Sequence, residues 1–171
     1  MKVLITGSSG SIGSAVASHL AEKNIPVVAL DLRDLPGASG KGYYKFYNCS
    51  ITEKEKLERI FEDERPTHVV HLASTFHKIR DRQLEYQIDV GGSENILDIC
   101  NRTTSVKQLI FSSSATIYGA HRDNPEWIGE TDPVRPGKYV YGLNKKHIEE
   151  LLMNSPVRAD FQRVLCRICT V

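Results

Sequence analysis

The sequence predicts an α/β fold in which a doubly wound parallel sheet carries helices on both faces. Two observations predict this architecture. Six short apolar segments, rich in strand-forming residues, alternate with segments of helical periodicity along the 171 residues. A glycine-rich turn separates the first strand from the first helix. Strands that alternate with helices form right-handed parallel crossovers, and this pattern favours the strand order 3-2-1-4-5-6.

The first predicted strand, Lys2–Thr6, runs into three glycines spaced three residues apart, and a helix with apolar residues at every fourth position follows. Gly7 allows a sharp exit from the strand, Gly10 leaves room for a pyrophosphate, and Gly13 lets the helix pack closely. The helix N-terminus offers free N–H groups and a positive dipole end to an anion. This unit predicts a dinucleotide site; the alternative is an ordinary tight turn between strand and helix.

The second strand, predicted over Pro26–Leu30, ends in Asp31, about 20 residues beyond the glycines. A carboxylate at this position suits a hydrogen bond to an adenosine ribose and repels a 2′-phosphate. Asp31 therefore favours NAD over NADP, although Arg33 weakens that preference. A solvated loop residue is the alternative interpretation of Asp31. The following segment, Leu35–Gly42, is rich in glycine and predicts a mobile loop.

The third and fourth strands are predicted over Tyr43–Tyr47 and Thr67–Leu72, with a helix between them. Thr52 and Glu55 fit a capping box at the start of that helix. The fourth strand contains two histidines three residues apart, which a strand places on opposite faces. We therefore predict no metal site here.

The second half of the chain continues the alternation. Its predicted elements, in order, are a long helix over Arg80–Cys100, a buried strand over Val106–Phe111, a surface loop over Ala120–Lys138, a helix over Tyr139–Met153 and a strand over Phe161–Val171. Gly91 and Gly92 lie inside the long helix, where each costs about 1 kcal/mol relative to alanine. This cost indicates that another helix or a ligand approaches closely.

Composition excludes several classes of protein. The 22 basic and 21 acidic residues nearly balance, which predicts no general attraction to nucleic acid or to an anionic membrane. No apolar run approaches the roughly 18 residues of a membrane span, so we expect a cytoplasmic protein. The length suits a single domain over residues 1–171. Cys166 and Cys169 fall on opposite faces of the last strand, and we expect all four cysteines to be free thiols.

Tyr141 and Lys145 lie four residues apart on one predicted helix and so share a face. A neighbouring ammonium and an oxidised nicotinamide would lower the pKa of the phenol. Tyr141 could then take a proton from a substrate alcohol while hydride leaves, and return it in the reverse direction. Ser114, at the end of a neighbouring strand, could hold the substrate oxygen. The alternative is a surface tyrosine beside a solvated lysine.

These segments resemble the extended branch of the short-chain dehydrogenase/reductases, the NAD-dependent epimerase/dehydratase family. The segments that carry the resemblance are Thr6–Gly13, Asp31, His71–Ser74, Ser112–Gly119 and Tyr141–Lys145. The resemblance implies a Rossmann fold, tightly held NAD, and a catalytic set of Ser114, Tyr141 and Lys145. It further implies a nucleotide-sugar substrate and a homodimer formed through the helices over residues 80–100 and 139–153. Ser112–Gly119 is similar in particular to the UDP-galactose 4-epimerases.

The resemblance also assigns residues to the cofactor. The predicted NAD-binding residues are Gly7, Gly10, Ser11, Ile12, Gly13, Asp31, Leu32, Arg33, Asn48, Cys49, Leu72, Ala73, Ser74, Asp89, Ser112, Tyr141 and Lys145. Members of the family continue past the last strand with a stretch that supplies most of the substrate pocket. Residues 1–171 therefore correspond to the cofactor-binding domain without that stretch.

The sequence departs from the family pattern at several positions. Asn48 replaces an aspartate that usually binds the adenine, and an amide can still bond the base edge. Asp89 replaces an asparagine in the middle helix and introduces a possible charge close to the site. Ala115 and Thr116 stand where the dehydratases carry an acidic pair, which argues against dehydration. Two functions remain open: a sugar-nucleotide epimerase or oxidoreductase, and an NAD-binding module without catalytic activity.

Overall fold

The computed structural model describes residues 1–34, 44–75 and 80–169 and contains one six-stranded parallel sheet. Its strand order, β3-β2-β1-β4-β5-β6, confirms the predicted order. The strands are β1 (Val3–Thr6), β2 (Val27–Asp31), β3 (Tyr44–Asn48), β4 (His68–His71), β5 (Gln108–Ser114) and β6 (Gln162–Ile168). The helices are α1 (Ser11–Glu22), α2 (Lys54–Glu64), α3 (Arg82–Tyr86), α4 (Gly92–Arg102) and α5 (Val140–Asn154). The predicted loop Leu35–Gly42 lies outside the described residues.

Helices cover both faces of the sheet, as predicted. Successive side chains of a strand point to opposite faces. Val3 and Ile5 of β1 accordingly pack with Ala17 of α1 in one apolar cluster. Leu4 belongs to a second, larger cluster with apolar residues of α2, α4 and α5. The sheet therefore has α1 on one face and the other long helices on the opposite face.

The long helix predicted over Arg80–Cys100 is interrupted in the structure. It begins at Arg82 and ends at Arg102, and a π-helical turn over Gln87–Gly91 separates α3 from α4. The close neighbour at the glycine pair belongs to a turn and not to a helix: an added Cβ on Gly92 would lie 2.5 Å from the side chain of Ile51, which precedes α2. Gly91 has open space around it. Among the described residues, no helix is long and apolar enough to cross a membrane.

Two local predictions were wrong. The capping box at Thr52 and Glu55 does not form, because α2 begins only at Lys54, and the Glu53 carboxylate instead accepts from the Ser50 N–H at 2.6 Å. The fifth strand extends through Ser114, so the serine run belongs to β5 and does not follow it. A 3₁₀ turn over residues 115–118 comes directly after β5. The four cysteines are free, as expected.

Candidate active site

The candidate site lies along the edge of the sheet where the parallel strands end. Thr6, Asp31, Asn48, His71 and Ser114 are the last residues of five neighbouring strands. Strand register places Asp31 beside Asn48 and Thr6 beside His71. In open α/β sheets, ligands bind outside this carboxyl edge. The predicted cofactor residues therefore come together from separate parts of the chain.

The glycine turn at the end of β1 is built from close backbone contacts. Gly7 has a φ of +70°, which disfavours any side chain, and an added Cβ would lie 2.7 Å from the backbone nitrogen of Ala73. A Cβ on Gly13 would overlap the carbonyl oxygen of Gly7 and lie 2.8 Å from the Ser8 Cα. Gly13 thus packs against the turn itself. Gly13 therefore lets α1 pack on the turn, and Gly7 lets the turn pack on the segment after β4.

The N-terminus of α1 is open toward the same edge. Its N-cap is Gly10, which has no side chain to bond the first N–H groups, and its first turn contains no acidic residue. A helix N-terminus with free N–H groups and a positive dipole end attracts anions. The turn and the start of α1 therefore fit the pyrophosphate of a dinucleotide.

Asp31 is fixed at the tip of β2 by two backbone donors. Its carboxylate accepts from the N–H of Ser9 at 2.9 Å and from the N–H of Leu32 at 2.7 Å. The Ser9 hydroxyl donates in turn to the Arg33 carbonyl, and the Asn48 amide donates to the Leu32 carbonyl at 2.7 Å. Asp31 therefore ties the glycine turn to the segment after β2, beside the end of β3.

A buried chain of hydrogen bonds joins β1 to the middle helix through His71. Ser93 donates to the Asp89 carbonyl oxygen at 2.6 Å, so its oxygen accepts the Nε2–H of His71 at 2.9 Å. Nδ1 of His71 then accepts the hydroxyl hydrogen of Thr6 at 2.6 Å, and Thr6 accepts from the Ala73 N–H at 3.3 Å. Burial lowers the pKa of His71 to about 3, with a smaller contribution from Lys145, so the ring is neutral.

Tyr141 and Lys145 face each other in the first half of α5. Nζ of Lys145 lies 5.4 Å from the centroid of the Tyr141 ring and donates to the Ser112 carbonyl oxygen at 2.8 Å. Lys145 is only 2% exposed, and burial lowers its pKa to about 8, against the opposing effect of Asp89. An added Cβ on Gly142 would lie 3.0 Å from the Thr116 carbonyl oxygen, so α5 packs directly on the turn after β5.

The pKa of Tyr141 differs from the expectation. Burial raises it, and the charge of Asp89 and the proximity of Tyr139 raise it further. The Lys145 ammonium faces the ring and bonds the Ser112 carbonyl, and it does not offset these effects. As it stands, Tyr141 is protonated at neutral pH. The sequence suggested the pair and marked Asp89 as a possible charge near the site, but it gave no sign that this carboxylate raises the pKa of Tyr141.

Ser114 is buried at the end of β5 and caps the turn on which α5 packs. Its Oγ accepts from the Thr116 N–H at 3.2 Å and from the Thr116 hydroxyl at 2.9 Å. Because these contacts use only its acceptor capacity, the hydroxyl hydrogen of Ser114 is still available to a ligand. Ser112, by contrast, donates its own hydroxyl hydrogen to the His71 carbonyl at 3.2 Å. No group of three or more potential metal ligands occurs in the described parts of the chain.

The comparisons with known proteins agree with this geometry. The model of the NAD dependent epimerase/dehydratase family matches residues 3–171. The UDP-glucose 4-epimerase of Yersinia enterocolitica is 33% identical over 168 residues, which cover 89% of this chain and 48% of that protein. Protein CapI of Staphylococcus aureus is 30% identical over 162 residues, or 87% of this chain and 48% of its own length.

Solved structures are similar over almost the whole chain. The UDP-glucose 4-epimerase of Thermus thermophilus, in complex with NAD, superposes with a TM-score of 0.86 at 31% identity over 98% of this chain and 54% of that one. The Bordetella bronchiseptica enzyme WbmG, in complex with NAD and UDP, gives a TM-score of 0.81 at 29% identity over 98% and 52%. The chain spans about half the length of the relatives it matches.

Proposed function

The chain belongs to the NAD dependent epimerase/dehydratase family, and from this premise we propose that it binds NAD and takes part in hydride transfer on a nucleotide sugar. One observation carries the proposal. The open N-terminus of α1 and the Tyr141–Lys145 pair lie at the same carboxyl edge of the sheet. A dinucleotide whose pyrophosphate lies at the glycine turn would extend along that edge. Its two ends would lie toward Asp31 and toward Tyr141.

The residues of the chain fit NAD at both ends. The free N–H groups of α1 would bind the pyrophosphate, Asp31 the adenosine ribose, and Lys145 the nicotinamide ribose. When bound, NAD supplies a hydride acceptor and donor next to the substrate carbon. The relatives that support this proposal include UDP-glucose 4-epimerases crystallised with NAD.

We assign the proton transfer to Tyr141. The phenol would accept the proton of a substrate hydroxyl during oxidation and return it during reduction. A positive charge bound beside Tyr141 would lower its pKa from the raised value and so generate the base form. Ser114 would donate its free hydroxyl hydrogen to the substrate oxygen. We propose UDP-sugars as substrates because relatives at 30% identity or above include UDP-glucose 4-epimerases.

A second candidate is a module that holds NAD without turning over a sugar. The observation that favours it is the raised pKa of Tyr141, which keeps the phenol protonated at neutral pH. Both candidates share the cofactor site and differ only in turnover.

We also propose a homodimer that packs through α3, α4 and α5. Leu84 and Tyr86 of α3 and Leu143 of α5 are exposed apolar residues. The Tyr86 ring lies edge-on to His147 of α5, with ring centroids 5.6 Å apart, which joins the exposed residues into one surface. Exposed apolar patches of this kind mark protein interfaces.

Calorimetric titration with NAD and with NADP tests the cofactor assignment. We expect NAD to bind at least about tenfold more tightly, because Asp31 repels a 2′-phosphate, and we expect Asp31→Asn to reduce this preference. The Asp98→Asn variant loses a negative charge at a partly exposed position of α4, so it serves as the matched control and should keep the preference. Equal or tighter binding of NADP would remove the role given to Asp31, and absence of NAD binding would contradict the proposal.

The same preparations are then incubated with UDP-glucose and UDP-galactose. Interconversion that is lost in Tyr141→Phe supports the enzyme. NAD binding without interconversion supports the module.

A further inference from the structure

Asp89 is a buried carboxylate that the proposed proton transfer does not use. It is 1% exposed and accepts from four donors on two elements. Thr75 donates through its N–H at 2.7 Å and its hydroxyl at 2.8 Å, Ser74 through its hydroxyl at 3.4 Å, and Asn144 through its amide at 3.3 Å. Both carboxylate oxygens act only as acceptors, as in an ionised carboxylate.

The π-helical turn holds Asp89 in this position. The turn covers Gln87–Gly91, and π turns inside helices occur frequently at functional sites. The hydroxyl of Ser93 donates to the Asp89 carbonyl oxygen and so fixes the backbone of the turn, while His71 fixes Ser93. The carboxylate is therefore held by its own four donors and by a buried support behind its backbone.

We propose that Asp89 is a positioning residue of the active site, which fastens the segment after β4 (Leu72–Thr75) to α5 and presents a fixed negative charge to Tyr141 and Lys145. This inference rests on the proposed function for its catalytic meaning. Asn144, its partner on α5, precedes Lys145 directly and lies three residues after Tyr141. One carboxylate thus connects the nicotinamide side of the site to the helix that carries the proton-transfer group.

The negative charge of Asp89 affects the pKa values of both Tyr141 and Lys145. Among the described residues, the titratable groups that shift the pKa of Tyr141 or Lys145 are Asp89 on the π turn and Tyr139, directly before α5. His71 on β4, whose own pKa Lys145 lowers, is neutral. Asp89 raises the pKa of Tyr141 and opposes the lowering of the Lys145 pKa by burial. It therefore favours the protonated form of both groups. Steps that need the phenolate should require a higher pH than in a variant with a neutral residue at position 89.

The test measures Tyr141 directly and needs neither cofactor nor turnover. Tyrosinate absorbance is followed at high pH, and because the chain has seven tyrosines, Tyr141 is isolated by subtracting the same titration of Tyr141→Phe. The Asp89→Asn variant is titrated in the same way, and the titration of the double variant with Asp89→Asn and Tyr141→Phe is subtracted from it. Relative to the wild type, we expect the apparent pKa of Tyr141 to fall by about 0.5 to 1 unit. Asp98→Asn, a matched loss of charge on α4, should leave it unchanged. Thr75→Val removes one donor but keeps the charge and should also leave it unchanged.

The outcomes separate a charge effect from a structural one. A shift in Asp89→Asn alone supports the proposal, whereas equal shifts in Thr75→Val or Asp98→Asn, or no shift, would overturn it. If Asp89→Asn does not fold, the ¹³C shift of the Asp89 carboxyl carbon in the wild-type protein decides the matter. A protonated carboxyl between about pH 6 and 8 would overturn the proposal, and an ionised one supports it. A chain that fails to bind NAD would contradict the proposed function and leave this titration interpretable.

Discussion

Two regions share the carboxyl edge of the sheet and are built in different ways. The glycine turn after β1 consists of backbone packed on backbone, with Gly7 against Ala73 and Gly13 against Gly7. The cluster at the ends of β1 and β4 consists of buried polar side chains, with His71 bonded to Thr6 and to Ser93 of α4. At Gly7 and Gly13 the first region leaves no room for an added atom, and the second region depends on every hydrogen-bond partner being present. Added side-chain atoms should therefore destabilise the first region, and loss of a polar group should destabilise the second.

Gly13→Ala should give the largest loss of stability. The new Cβ would overlap the Gly7 carbonyl, a backbone atom that cannot move without shifting the end of β1. We expect the free energy of unfolding, measured by urea denaturation, to fall by about 3 kcal/mol. Gly91→Ala is the matched control, because nothing lies within 4 Å of its Cβ position. It should raise stability by up to about 1 kcal/mol. A decrease in the free energy of unfolding of less than about 1 kcal/mol in Gly13→Ala would show that the backbone of the turn can move to accommodate the methyl group.

Replacement of His71 should change the free energy of unfolding by a smaller amount, which depends on pH. Its pKa in the folded chain is about 3, below the 6.5 of the unfolded chain, so unfolding takes up a proton between these values. Stability should then fall as the pH falls below about 6.5, by up to about 1.4 kcal/mol for each pH unit. The His71→Asn variant has no side chain at position 71 that takes up this proton, so it lacks this loss of stability. Its deficit relative to the wild type should shrink between about pH 6 and pH 5, whereas exposed His19→Asn should follow the wild-type curve. Parallel curves for wild type and His71→Asn would contradict a neutral buried ring.

Gly10→Ala should have the smallest effect on stability and separates folding from ligand binding. Gly10 has a φ of −73°, which alanine adopts readily, and the nearest atom to its Cβ position is the Gly7 carbonyl oxygen at 3.3 Å. We expect a cost of about 1 kcal/mol or less in urea denaturation. NAD binding, measured by calorimetry, should weaken by about tenfold or more, because the methyl group would occupy the place of the pyrophosphate. Unchanged affinity would show that Gly10 serves the fold alone.

The sequence predicted the sheet well because the sheet depends on local patterns. Apolar runs marked all six strands, and the alternation with helices determined their order. The ends of elements were less predictable. The helix predicted to begin at Arg80 begins at Arg82, and nothing in its periodicity showed the π turn. The capping box failed because the Glu53 carboxylate accepts from the Ser50 N–H, two residues earlier in the sequence than the predicted pair.

The candidate site was predictable only where a residue type indicates its role. The glycines showed the turn, and the four-residue spacing showed that Tyr141 and Lys145 share a face. The polar cluster left no such signal, because its bonds join residues 65 and 22 positions apart in the sequence. Asp89 was noticed as a possible charge, but its four donors are known only from the fold. Those donors, and the raised pKa of Tyr141, change the expected acid–base behaviour of the pair.

The hydrogen-bond chain through His71 has a consequence for the evolution of this protein. Each hydroxyl in it has one hydrogen and uses it in a fixed direction, from Thr6 to His71 and from Ser93 to the Asp89 carbonyl. Loss of either hydroxyl leaves a buried ring nitrogen without its partner, a cost of about 1 to 3 kcal/mol. Substitutions at positions 6, 71 and 93 should therefore be correlated. In descendants of this chain, we expect an apolar residue at one of the three to be accompanied by compensating changes at the other two.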